Sequence, residues 1–230
     1  MKILAIDSCA GTSSVAVLED EALLALYTVN SGNTHSETLL PMIRDTLSTL
    51  GIGAEDIDAY AVSYGPGSFT GVRIGVSTIK GLAFGRNKPC VEVSTIEALS
   101  ENLRGFDGII CPVMNARRGQ VYTGIFKNGE RIMDDECMML TDLAPILEKF
   151  GEDIYFVGDG YDIAVKAGIK NVKETPEPLR HASGYSVGRV AYEKIKMGKT
   201  VTDSELSVNY LRKPQAERER EERLAKEKNI

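Results

Sequence analysis

The stretch KILAIDSCAGTSSVAVLEDEALLALYTV, residues 2–29, decides the fold. KILAID is a short apolar run with β-branched content. SSVAVL and LLALYTV follow it after small, turn-forming residues, so three strands are expected in succession. A helix comes next. Thr34 and Glu37 have capping-box spacing, and Leu39, Leu40, Ile43, Leu47 and Leu50 recur at helical spacing, with Pro41 expected to kink the helix. AYAVS then reads as a strand, Gly71 to Gly85 as a second helix and PCVEV as another strand. Up to that last strand, the first half runs β-β-β-α-β-α.

From Gly108 the order restarts. GIICPVM, QVYTGIF and ERIMDDECMM read as strands, Asp142 to Phe150 as a helix, IYFVG as a strand and Gly184 to Lys196 as a helix. The repeated order implies an α/β protein of the actin-like ATPase (ribonuclease-H-like) type. It would have two β-β-β-α-β-α subdomains, 1–104 and 105–213, the second trimmed, and a charged helix or tail at 214–230.

Bulk properties narrow the function. With 230 residues, 43% hydrophobic and 26% charged, the chain has the balance of a globular protein with a real core. The four cysteines are widely spaced and form no C-x-x-C pair, which argues against a zinc knuckle or a disulfide framework. MKILAIDSCAG lacks a basic n-region and a long apolar run, so a cytoplasmic protein away from the membrane is expected. A net charge of −6 repels a polyanion and makes the lone chain a poor tRNA binder. Arg117-Arg118 and Arg212-Lys213 read as solvated surface pairs.

Two stretches could carry chemistry. Asp7 ends the first strand, and the polar turn Ser8 to Ser14, with Gly11, Thr12 and Ser13, could face a phosphate; a tight hairpin needs the same residues. In YGPGSFT, residues 64–70, Gly65, Pro66 and Gly67 form a rigid turn before a helix whose free N–H groups attract anions. Gly158, Asp159 and Gly160 could line an adenosine edge or simply connect a strand to a helix. Asp7 alone cannot supply both a Mg²⁺ ligand and a base, so no catalytic residue is assigned.

The glycines at 71, 75, 81 and 85 are costly inside a helix, at roughly 1 kcal/mol each against alanine, which implies close backbone approach. Val72, Val76, Ile79 and Ala83 form one apolar stripe. Ile74, Leu82 and Phe84 lie partly elsewhere, so the helix is either covered on two sides or an ordinary buried one. His35 and His181 are the only histidines. His35 suits a hydrogen bond or packed cap, His181 an exposed loop, and neither belongs to an H-E-x-x-H pair, so no metal site is assigned.

SYGPGSFTGVRIGVSTIKGLAFGRNKPCVEVST, with AIDSCAGTSSVAV, HSETLLPMI, NARRGQVY and YLR, resembles the TsaB family, the non-catalytic partners in bacterial tRNA threonylcarbamoyladenosine synthesis. The resemblance implies pairing with TsaD, engagement of the ATPase TsaE, and contact with tRNA only through the complex. It implies an interface on the first two helices, here His35, Leu39, Ile43, Leu47, Val72, Gly75, Val76, Ile79 and Leu82. A homodimer through the same face is compatible with the lone chain, whose oligomeric state the sequence leaves open. No cofactor is required, although residual ATP or ADP binding is compatible with the frame. TsaD relatives carry a histidine-x-x-x-histidine metal motif where this chain has Thr95 and Leu99. Asn115 and Gln120 likewise replace acidic residues common in such folds. The alternatives are an active actin-like phosphotransferase or ATPase, and a metallopeptidase, against which the missing histidine pair argues.

Overall fold

The computed structural model describes residues 1–32 and 34–212. The charged segment 214–230 lies outside the described residues.

The first half contains β1 (Lys2–Asp7), β2 (Ser13–Glu19), β3 (Ala22–Val29), α1 (His35–Leu50), β4 (Ala59–Gly65), α2 (Phe69–Ala83), β5 (Cys90–Ser94) and α3 (Thr95–Glu101). The second contains β6 (Ile109–Asn115), β7 (Gln120–Lys127), β8 (Glu130–Met139), α4 (Leu140–Glu148), β9 (Ile154–Val157), α5 (Tyr161–Val165), β10 (Val172–Lys173) and α6 (Gly184–Lys196). The sheet orders are β3-β2-β1-β4-β5 and β8-β7-β6-β9-β10, so both halves follow one plan. In each sheet the first three strands are antiparallel and the last two run parallel to the first. The second copy is reduced, with five residues in α5 against fifteen in α2 and a two-residue β10.

Strand periodicity explains how the first sheet is covered. Leu4, Ile6, Val15 and Val17 point to one face and join a core with Leu39, Ile43, Val72 and Ile79 of α1 and α2. Ile3, Ala5, Ala16 and Leu18 point to the other face and meet Val187 and Ala191 of α6. A central strand buried on both faces must be apolar throughout, which is why KILAID shows no alternation. α6 belongs to the second half of the chain yet covers the first sheet. A Cβ on Gly184 would stand 2.8 Å from the Ala16 nitrogen, so only glycine allows α6 to sit this close. α3 packs between the halves, against β4, β5, β6 and β7.

Several local expectations are corrected. Thr34 precedes α1 but makes no side-chain cap bond; its hydroxyl meets Ser36 Oγ at 3.2 Å, so the capping box does not form. Leu40 is 56% exposed, and Met42 takes its place in the core. α1 is assigned continuously through Pro41. α3, α5 and β10 were not expected from the sequence. Among the described residues no helix is long and apolar enough to cross a membrane.

Candidate functional site

Between the two halves lies a cleft of about 700 Å³. Its walls come from the β1–β2 turn (Cys9 to Gly11), the start of α2 (Gly67 to Thr70, with Arg73), the β6–β7 turn (Met114 to Arg117), Tyr122, Asp159 and Arg212. A smaller cavity of about 210 Å³ adjoins it, sharing Ala10, Gly11, Met114 and Asp159 and adding Thr12, Asn30, Leu99, Gly158, His181 and Ala182.

The β1–β2 turn is held from behind. Asp7 is fully buried, and its Oδ1 accepts the Cys9 backbone N–H at 2.9 Å. Burial pushes its carboxyl above the usual range, against the opposing pull of the Ser63 hydroxyl and the Cys9 N–H. Its Oδ2 has no hydrogen-bond partner. Ser8 is also buried and donates from Oγ to the Gly71 carbonyl at 2.8 Å. His35 Nε2–H donates to the Ala10 carbonyl at 2.8 Å, leaving Nδ1 to accept from the Ser13 hydroxyl at 2.6 Å. The turn's hydrogen-bonding groups are therefore largely spent on the protein itself.

α2 approaches this turn closely. Ser68 N–H donates to the Cys9 carbonyl at 2.8 Å, and a Cβ on Gly71 would collide with the Ser8 carbonyl. A Cβ on Gly75 would lie 2.6 Å from Ser8 Oγ and 3.3 Å from Val62. Close approach thus explains Gly71 and Gly75. Gly81 and Gly85 meet nothing within 4 Å.

On the opposite wall, Asp159 Oδ1 accepts the Asn115 N–H at 3.0 Å, and burial raises its pKa. Gly158 and Gly160 carry backbone bonds to the Arg180 and Val113 carbonyls, both at 2.9 Å. His181 is not merely exposed: it is half-buried, lines the smaller cavity and faces Glu177 at 2.7 Å.

The C-terminal end of the described chain crosses the cleft mouth. Asn209 N–H donates to the Tyr64 carbonyl at 2.8 Å, directly over Gly65. Tyr210 stacks on Phe69 at 4.9 Å, and Arg73 Nε donates to its hydroxyl at 2.6 Å. Arg212 donates to the Ala116 carbonyl of the second half.

Of the residues expected near a nucleotide, the fold brings Gly11, Gly67 and Asp159 to the larger cleft, and Thr12 and Gly158 to the smaller. Asp7, Ser8, Ser13, Gly65 and Gly160 line neither and stand in the scaffold behind them. Phe69, Arg73 and Tyr122 were missed, because nothing local marks an aromatic or arginine as cleft-facing. Arg117 is exposed, as a surface pair should be, and it lines the cleft together with the half-buried Arg212.

Among the described residues no group of three or more His, Cys, Asp or Glu side chains is placed to hold a metal ion. Thr95 is fully buried and Leu99 is 2% exposed, with Leu99 Cδ1 packed beneath Gly158. Neither side chain offers an imidazole or a carboxylate.

The expected interface residues also need correction. Leu39, Ile43, Leu47, Val72, Val76 and Ile79 are at most 8% exposed and face their own sheet. Gly75 is buried against Ser8, and His35 and Leu82 keep partial access, His35 being held by the β1–β2 turn. The apolar groups these helices turn outward are Leu40 and, just past the end of α2, Phe84, 77% exposed.

The family described as "TsaD: tRNA N6-adenosine threonylcarbamoyltransferase" matches residues 29–217. The chain is 39% identical over 162 residues to the tRNA threonylcarbamoyladenosine biosynthesis protein TsaB of Bacillus subtilis (strain 168), spanning 69% of this chain and 71% of that one. A Pseudomonas aeruginosa crystal structure, described as a protein with similarity to peptidase YEAZ, superposes with a TM-score of 0.78 at 26% identity, covering 92% of this chain and 99% of that one. The Acidaminococcus fermentans (R)-2-hydroxyglutaryl-CoA dehydratase component A shares the fold at a TM-score of 0.52 and 12% identity, covering 85% and 99%.

Proposed function

Since the chain belongs to the TsaB family of tRNA threonylcarbamoyladenosine biosynthesis proteins, we propose that it works there as a non-catalytic partner subunit. In this reading it pairs with a TsaD-type transferase, the assembly engages TsaE, and threonylcarbamoyl passes to the tRNA adenosine beside the anticodon. Work on tRNA implies the cytosol as its compartment.

The observation that carries the non-catalytic reading is the closed floor of the cleft. Asp7, the one carboxylate at the end of β1, is fully buried and bonded to its own turn. A carboxyl buried and bonded to its own turn is poorly placed to ligate a cation in the cleft, and Thr95 and Leu99 fill the place where the transferase resemblance puts a histidine pair. The same geometry disfavours a Mg²⁺-dependent phosphotransferase.

For pairing, the outward side of α1 and α2 is the surface that remains, centred on Leu40, Leu82 and Phe84. Co-expression with a TsaD from the same source, followed by size-exclusion chromatography, tests the pairing. Co-elution at one-to-one supports it; separate elution at micromolar concentration contradicts it.

A further inference from the structure

Among the described residues the chain crosses between its halves three times. The first crossing leaves α3 for β6, and the second leads past Leu179 and His181 into α6, which covers the first sheet. One side chain at the end of α3 ties these two together. Asn102 Nδ2 donates to the Leu179 carbonyl at 2.9 Å and to the His181 carbonyl at 2.7 Å, and its Oδ1 accepts from the Ser186 hydroxyl at 2.6 Å. With its donors and its acceptor spent in this way, the amide makes a joint of the two crossings.

The third crossing, residues 201–212, is neither helix nor strand and is seated along the first half. Val201 and Cys90 exchange backbone bonds at 2.9 Å, Leu206 is buried, and the Ser207 N–H and hydroxyl donate to Glu92 Oε1 at 2.6 and 2.9 Å. Lys80 of α2 donates to the Ser204 carbonyl at 3.3 Å, and Asn209 and Tyr210 hold Tyr64, Phe69 and Arg73. The strap then reaches the second half, where Arg212 donates to the Ala116 carbonyl in the β6–β7 turn. That turn is strained. Arg117, Arg118 and Gly119 are consecutive left-handed residues, with φ of +62°, +55° and +74°, and the first two carry side chains that disfavour the conformation. A strained turn gripped from outside has a direction in which to relax when the grip is lost.

We propose that residues 201–212 are a clasp: seated on α2 and β5 of the first half, they latch the β6–β7 turn of the second through Arg212, and loss of that latch lets the halves part about the Asn102 joint. The bonds to the first half outweigh the latch, so release takes place at Arg212 and leaves the strap on its seat. The clasp is a property of this chain's own crossings and stands independently of the partner-subunit reading.

Hydrogen exchange of the full chain, read by mass spectrometry beside small-angle scattering, tests it. In Arg212→Gln the peptide spanning 114–120, whose turn is closed by the Ala116 and Gln120 N–H groups, should exchange about tenfold or more faster than in the parent, and the radius of gyration should rise. The Ser207 and Asn209 amides and those of β1 and β4 should keep the parent's rate. Tyr210→Ala loosens the seat as well, so it should give the same signature at 114–120 with faster exchange at Ser207 and Asn209 added. An unchanged 114–120 peptide in both variants overturns the proposal. Faster exchange throughout the chain with a lower melting temperature also overturns it, since that marks a merely structural contact, and so does a faster turn at unchanged radius, which marks local fraying.

Discussion

Ser8 donates its hydroxyl to the carbonyl of Gly71, 63 residues away, at 2.8 Å, and that bond holds α2 against the β1–β2 turn. The two backbones come close enough that α2 needs glycine where it faces Ser8. Gly75→Ala should therefore overpack, costing about 1–3 kcal/mol. Gly81→Ala, which meets open space, should stabilise by roughly 1 kcal/mol. Urea denaturation of the two variants checks the contrast, and two changes of the same sign would refute it.

Burial raises the Asp7 carboxyl, so the folded state holds its proton to higher pH than the unfolded chain does. Stability is then lost as pH rises from the ordinary carboxylate range through the folded pKa, and the deficit stays constant above it. Asp7→Asn removes this penalty while an amide oxygen still accepts the Cys9 N–H. The variant should be more stable than the parent at pH 7 to 8, with the gap closing towards pH 3. Parallel pH–stability curves would show that Asp7 titrates normally.

Glutamate scanning separates core from surface on the two helices. Val76→Glu and Ile79→Glu place a charge at positions 4% and 0% exposed and should unfold the protein, costing upwards of ~4 kcal/mol. Leu40→Glu and Phe84→Glu should stay within about 0.5 kcal/mol of the parent in stability and yet abolish co-elution with TsaD. Circular dichroism and size-exclusion chromatography together decide this; folded, co-eluting surface variants would move the interface elsewhere.

Much of the fold was legible because its strands are short apolar runs separated by turn residues. ERIMDDECMM and Gly184 to Lys196 coincide with β8 and α6 to the residue. α3 was hidden because VSTIEAL continues an apolar strand with little warning, and Ser94 marks the break only through its cap bonds to the Ile96 and Glu97 N–H groups. α5 is a single turn or so, too short to show a period. The stripe on α2 was visible, but periodicity cannot tell a face that covers its own sheet from one that meets a partner. Both look apolar. The cleft was the least legible part, since Arg73, Arg117 and Arg212 come from distant segments that only the tertiary fold gathers.

The central claim is that this subunit lends a surface and performs no transfer. Purified chain incubated with tRNA and threonylcarbamoyl-adenylate should leave the tRNA unmodified by nucleoside mass spectrometry, and addition of TsaD and TsaE should produce threonylcarbamoyladenosine. Modified adenosine formed by the chain alone would contradict it.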